Sequence, residues 1–158
     1  MGIKLDSSDY VYPGAKNAAM RVLAGLVDDP LLFVDPHYRF DINDFPEQFQ
    51  RIIFGAVEHL AKEGHSSVDW TKIEAYLKPY PVQYKVFSDN RGIEYLQNAL
   101  NLYHKTDFAA YYSELKKYRL MNELRKSGIS VDDIYSDQID PIEHEKMQKT
   151  FDELDTGR

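Results

Sequence analysis

A chain of 158 residues, 43% apolar and 28% charged with both signs intermixed, has the length of one domain and too many apolar side chains for wholesale disorder. It holds no cysteine, which excludes disulfides and thiolate zinc sites, and its net charge of −7 disfavours direct, strong nucleic-acid binding, since a basic face is needed to displace phosphate counterions. No stretch is apolar and long enough to cross a membrane, and the N-terminus lacks the basic-then-apolar pattern of a signal peptide, so a cytoplasmic protein is expected.

Residues 1–14 are polar and aperiodic and are expected to form a flexible arm, closed by Pro13-Gly14 as punctuation. From Ala15 the apolar residues Ala18, Ala19, Val22, Leu23 and Leu26 fall at helical spacing and predict one buried stripe. Asp28-Asp29 ends that helix, and Pro30 suits the first turn of a short helix through Leu31, Leu32 and Phe33. Residues 35–43 form a loop. Asp44 is expected to cap the next helix, with Pro46 in its first turn and Phe49, Ile52, Ile53, Ala56, Val57 and Leu60 on its buried face; Gly64 stops it. Asp69 caps a short helix with Trp70, Ile73 and Leu77, broken by Pro79 and Pro81. Residues 82–87 alternate weakly and give the one faint strand signal. Asn90-Arg91-Gly92 leads into a helix with Ile93, Leu96, Ala99, Leu100 and Tyr103.

Thr106 or Asp107 opens a long helix carrying Phe108, Tyr111, Tyr112, Leu115, Leu120, Met121 and Leu124, about 30 Å long and ended by Gly128. Ser130 and Asp133 suit a cap for a turn through Ile134 and Tyr135. Asp140-Pro141-Ile142-Glu143 carries a capping Asp, a first-turn Pro and a Glu three residues past the cap; it predicts a last helix with Met147, Phe151 and Leu154 on one face. The expected fold is all-α: a multi-helix head over 15–104, an antiparallel helical hairpin over 105–155, and at 156–158 the start of a linker.

Chemistry is sparse. No glycine begins the G-x-x-x-x-G-K-[ST] run that cradles phosphates. His144-Glu145 would need a second histidine where Gln148 stands, so a zinc-protease helix lacks a ligand. Asp41-Ile42-Asn43-Asp44 has the flavour of a calcium loop, but Pro46 and Ile52 occupy positions that need Gly and a bidentate Glu. No catalytic, cofactor-binding or metal residues are therefore expected, and a small enzyme is the least favoured reading.

The hairpin is the more informative feature. Two helices alone cannot bury both apolar stripes, so the hairpin must fold onto the head or pair with another copy. Tyr111, Leu115, Leu124, Met147, Phe151 and Leu154 are the candidate residues for self-association or its immediate support. Tyr111, Tyr112 and Tyr118 are expected on or near the exposed part of the long helix, and Lys116-Lys117-Tyr118-Arg119 on its wet side. Residues 35–43 and 79–89 are candidate loops for partner contact.

Five segments, in order, resemble the N-terminal domain of DnaB-family replicative DNA helicases. The run Ala18-Ala19-Met20-Arg21-Val22-Leu23-Ala24-Gly25-Leu26-Val27-Asp28-Asp29-Pro30 is similar to the family's opening helix, a small-residue run followed by "VLG" and "DP". Asp44-Phe45 with Gln50-Arg51-Ile52-Ile53-Phe54-Gly55-Ala56-Val57 resembles "DF…H-R-x-I-F-x-A-I". Val68-Asp69 resembles "PVD", Gly92-Ile93-Glu94-Tyr95-Leu96 resembles "GGxxYL", and Tyr111-Tyr112-Ser113-Glu114-Leu115-Lys116 resembles "YYAxIV". Departures are Gln50 for the usual His, Asn90-Arg91 where the first glycine is usual, a longer aromatic stretch over 79–89, and Gly128 within what is often a longer helix; they suggest a divergent, phage-encoded member.

The resemblance implies a head and hairpin whose hairpins pair between subunits of a hexamer, and which docks the primase and, in some systems, the helicase loader. ATP and Mg would then belong to a separate motor domain of a longer chain. The helicase-binding domain of a primase shares the head-plus-hairpin shape and is the first alternative; a primase catalytic domain upstream would favour it, a motor downstream the helicase. A free-standing phage protein that mimics the helicase domain is the second.

Overall fold

A computed structural model describes residues 11–65 and 67–128. Among them the fold is all-α, with six α-helices: α1 (Pro13–Asp28), α2 (Gln48–Lys62), α3 (Trp70–Leu77), α4 (Pro81–Asp89), α5 (Gly92–Leu102) and α6 (Phe108–Lys126). They divide into two compact units, residues 11–116, the head, and residues 117–128, the later part of α6 with the two residues after it. The expected turn at Ser130–Tyr135, the second hairpin helix and His144-Glu145 lie outside the described residues. No helix among the described residues is long and apolar enough to cross a membrane.

The head begins earlier and ends later than expected. Pro13-Gly14 is the first turn of α1 rather than a break before it, because proline's missing N–H is unneeded there and its fixed φ suits the helix. At the other end Phe108 and Leu115 of α6 belong to the same core as α1 and α2. Ala19, Val22, Leu23 and Leu26 of α1 are fully buried, as are Ile53 and Val57 of α2, Ile73 of α3 and Leu96 of α5. Aromatic rings fill the remaining space: Phe45 stacks on Phe54 at 4.7 Å and Phe49 meets Tyr95 edge-on at 4.7 Å.

Asp44 does not cap α2. It closes a 3-10 turn (Ile42–Asp44), where its Oδ2 accepts from the Asp41 N–H at 2.8 Å while Asp41 Oδ1 accepts from the Asn43 N–H at 2.7 Å. These two carboxylates, with their calcium-loop flavour, are thus occupied in backbone capping. Pro46 precedes α2, and Glu47 stands at its N-cap without a side-chain capping hydrogen bond. The other end follows expectation: Gly64 takes φ +90°, its N–H reaches the Ala61 carbonyl at 3.1 Å, and the His65 N–H reaches Leu60 at 3.2 Å. That is a Schellman stop, which a residue with a Cβ would strain. Asp69 caps α3 through the Lys72 N–H at 2.9 Å.

The weak strand signal over 82–87 is overturned, since α4 spans it. Pro81 is its first residue, and Tyr84 and Phe87 lie one turn apart facing the core, so a 3.6-residue period outcompetes the alternation. The turn into α5 sets Arg91 at φ 54°, ψ 55°, the one non-glycine residue with positive φ among those described. A Cβ is strained there, so Arg91→Gly is expected to raise stability by about 0.5–1 kcal/mol. That gain already allows for the exposed Arg91–Glu94 pair at 2.8 Å, which contributes little. Urea unfolding checks it; a lower midpoint for the glycine variant would count against strain at this turn.

Candidate interaction surfaces

The early part of α6 is sewn to the loop over residues 35–43. The Tyr112 hydroxyl accepts from the Arg39 N–H at 3.0 Å and donates to the Arg39 carbonyl at 3.2 Å. Its ring meets Tyr38 edge-on at 4.9 Å and Phe40 at 5.6 Å, and Tyr38 also packs on Phe108 at 5.0 Å. Of this candidate loop for partner contact, the Tyr38 and Phe40 side chains and the Arg39 backbone instead hold α6. Its tip remains exposed, where the Asp35 carboxylate accepts from the His37 N–H and ring, and that bonding holds its pKa below the usual carboxylate value.

Beneath Tyr112, Lys116 Nζ lies 2.8 Å from Asp44 Oδ2, with side-chain exposures of 8% and 0%. The wet face expected for Lys116 and Lys117 is therefore wrong: both are buried. The apolar period of the helix already held the clue. Lys116 follows Phe108 and Tyr112 at four-residue steps, on the stripe that faces the head. A buried lysine needs a paired acid, and Asp44 supplies it.

The residues proposed for self-association separate. Tyr111 is half-buried; Arg21 Nη1 donates to its hydroxyl at 3.4 Å and the Arg21 guanidinium sits 5.4 Å from its ring centre. Leu115 is 1% exposed inside the head's core, so its role is internal packing that supports the helix. Leu124 lies in the second unit, partly exposed. Met147, Phe151 and Leu154 lie outside the described residues.

The head has a small concavity of about 140 Å³ beside Arg21 and Tyr111 and two larger ones. One, a cleft of about 840 Å³, is bordered by Asp28, Trp70, Lys105 and Tyr103. Burial, with Asp28 and Asp29 close by, pushes the Tyr103 phenol from 10.0 up to about 12, and burial also raises that of Tyr95. Both stay neutral when folded, while the unfolded chain loses these protons near the ordinary value of 10.0. Stability is thus fully present below pH 10 and declines as pH climbs towards 12. Alkaline unfolding followed with tyrosinate absorbance should register both groups ionising late; titration of all tyrosines together in the folded chain would contradict it.

The other is a groove of about 410 Å³ between α2, α3 and the start of α4. Ile42, Ile52, Tyr76 and Tyr80 border it, and Gly55 leaves its middle without a side chain. Ile42 and Tyr80 are 46% and 48% exposed. Residues 79–89, expected as a loop, thus reach this groove as a helix start. Periodicity did not point to it, because Ile52 belongs to the apolar stripe of α2 and only the placement of α3 and α4 leaves it partly open.

In sequence, 139 residues of the chain, 87% of it, align at 37% identity with the SPbeta prophage-derived uncharacterized protein YorI of Bacillus subtilis (strain 168). The aligned part covers 28% of that relative, so the chain spans little more than a quarter of its length. No family model matches the chain, and no solved structure matches its fold.

Proposed function

We propose that the chain is the N-terminal assembly and partner-docking domain of a divergent, phage-encoded DnaB-type replicative helicase. It would act in the cytoplasm of a bacterial host and associate with its own copies, with primase and with a helicase loader. Any ATP and Mg chemistry belongs, in this reading, to a motor domain elsewhere in a longer chain.

The observation that carries the reading is the turn at Arg91-Gly92. The helicase segment similar to it has two glycines there. This chain has replaced the first, yet Arg91 keeps the left-handed backbone that a glycine adopts freely. Gly92 packs so closely on Phe87 that a Cβ would lie 2.2 Å from its ring. A left-handed residue followed by one that has no room for a Cβ is a geometry that a glycine pair suits, which supports the reading. Other resembling residues also have work within the head: Arg51 donates to the carbonyls of Phe45 and Pro46 at 2.8 and 3.1 Å, and Tyr112 holds Arg39. The prophage-derived relative extends far beyond the aligned segment, which leaves room in that protein for a further domain.

The hairpin over 105–155 is the element assigned to subunit pairing, with Leu124, Met147, Phe151 and Leu154 as its contact residues and Tyr111 and Leu115 as their support. Light scattering from low to high micromolar concentration tests this. Dimers or hexamers are expected, and Met147→Asp should dissociate them with helicity retained. A strict monomer throughout would instead favour the primase-domain or free-standing alternatives.

A further inference from the structure

The groove beside α2 contains a residue that the head's own packing does not explain. Gly25 is required because the Phe108 ring lies 2.5 Å from where its Cβ would be, and Gly92 because of Phe87. Gly55 has no such reason. It stands inside α2, where glycine weakens a helix relative to alanine, and a Cβ there would meet nothing within 4 Å. Around it lie the exposed Ile42 and Tyr80 and the partly buried Ile52 and Tyr76, an apolar and aromatic border.

Among the described residues, Arg51 is the one charged residue lining this groove. Its Nε and Nη2 are fixed on the Phe45 and Pro46 carbonyls, and no carboxylate among the described residues pairs with it. A positioned cation without an acid is notable on a chain of net charge −7. Arginine and tyrosine around a desolvated pocket are the residue types that dominate binding energy at interfaces.

We propose that this groove docks an amphipathic helix of a partner protein, which lays a large apolar side chain over Gly55 and sets a carboxylate against Arg51. A helix is favoured over an extended peptide because it satisfies its own backbone hydrogen bonds, and the described residues of the all-α head offer no strand edge to pair with. The missing side chain at Gly55 is what allows the close approach. The argument uses only the head's geometry and stands whether or not the chain belongs to a helicase.

The test uses the full chain and two synthetic peptides with leucines at helical i, i+3, i+4, i+7 spacing, one with glutamates and one with lysines at the remaining positions. Fluorescence anisotropy measures affinity, and amide chemical shifts of the protein locate the site. Saturable binding of the glutamate peptide is expected, with shifts centred on Gly55, Ile52, Tyr76 and Tyr80. The acidic chain as a whole should attract the lysine peptide, so tighter binding of the glutamate peptide isolates Arg51. Gly55→Leu, which fills the groove, is expected to weaken binding at least about tenfold while its melting temperature holds or rises. Gly55→Ala should melt a few degrees higher and bind more weakly, a combination that a merely structural glycine would not give. No saturable binding, shifts elsewhere, preference for the lysine peptide, or a folded Gly55→Leu variant that binds as well as the original would each overturn the proposal. Shifts at the groove that grow with protein concentration alone would overturn it too, by making a second copy the occupant.

Discussion

Replacing Lys116 with alanine is expected to destabilise the head by about 3–5 kcal/mol, the range seen when one member of a buried ion pair is removed. The size follows from what is left behind. Asp44 has no exposed side-chain surface, and its Oδ2 receives both the ammonium at 2.8 Å and the Asp41 N–H. Without the ammonium, the buried carboxylate loses its charged partner while it remains held by the Asp41 N–H. Lys116 also contributes its charge to the face of the Tyr112 ring, 5.5 Å away. An exposed pair at a similar distance, such as Lys85–Asp89 at 2.9 Å, is solvated and contributes little, so the two cases are well separated. Urea unfolding of the Lys85→Ala and Lys116→Ala variants side by side makes the comparison. The double variant Lys116→Met with Asp44→Asn should recover much of the loss, because it removes both charges and keeps an acceptor for the Asp41 N–H. A cost for Lys116→Ala no larger than that of Lys85→Ala would mean that the pair is solvated.

The same ion pair explains where the sequence could be read and where it could not. Helical periodicity located α1, α2, α3 and α5 because each buries a stripe wide enough to repeat along the chain. Local stop signals placed Gly64 and Asp69 correctly, since their bonds lie within a few residues. Asp44 defeated the same logic. An aspartate shortly before a helix has two local solutions, capping that helix or closing a turn of its own, and the choice here goes with an ion pair to a residue 72 positions away. Lys116 reads as solvated by residue type, while its place on the apolar stripe sets it against the head and Asp44. Residues 82–87 read as loop with a faint strand signal because Pro81 counts as a breaker of the helix before it, although a proline equally suits the first turn of the helix that follows. For the groove, Gly55 was visible only as one glycine inside a helix. That its Cβ would face open space between α2, α3 and α4 is a property of the packing.

Gly92→Ala and Gly55→Ala should move stability in opposite directions, although they are the same chemical change in two helices. At Gly92 the new methyl group would lie 2.2 to 2.5 Å from three carbons of the Phe87 ring. Phe87 is 1% exposed and is packed against the core, with the Phe49 ring 6.5 Å away, so the ring has no free volume to enter. Relief requires α5 to shift on α4 or Phe87 to leave its rotamer, and a loss of about 2–3 kcal/mol is expected from such overpacking. Since Gly92 is the first residue of α5, alanine's helix preference offsets little of it. At Gly55 the methyl meets open space in the helix interior, and a gain of about 0.5–1 kcal/mol is expected from reduced freedom in the unfolded chain. Phe87→Leu in the Gly92→Ala background should recover part of the loss, because it withdraws the ring atoms that the methyl strikes. Thermal and urea unfolding of the three variants read these signs directly. If both alanine variants moved stability the same way, either the close approach of α5 to Phe87 or the openness of α2 at Gly55 would be wrong.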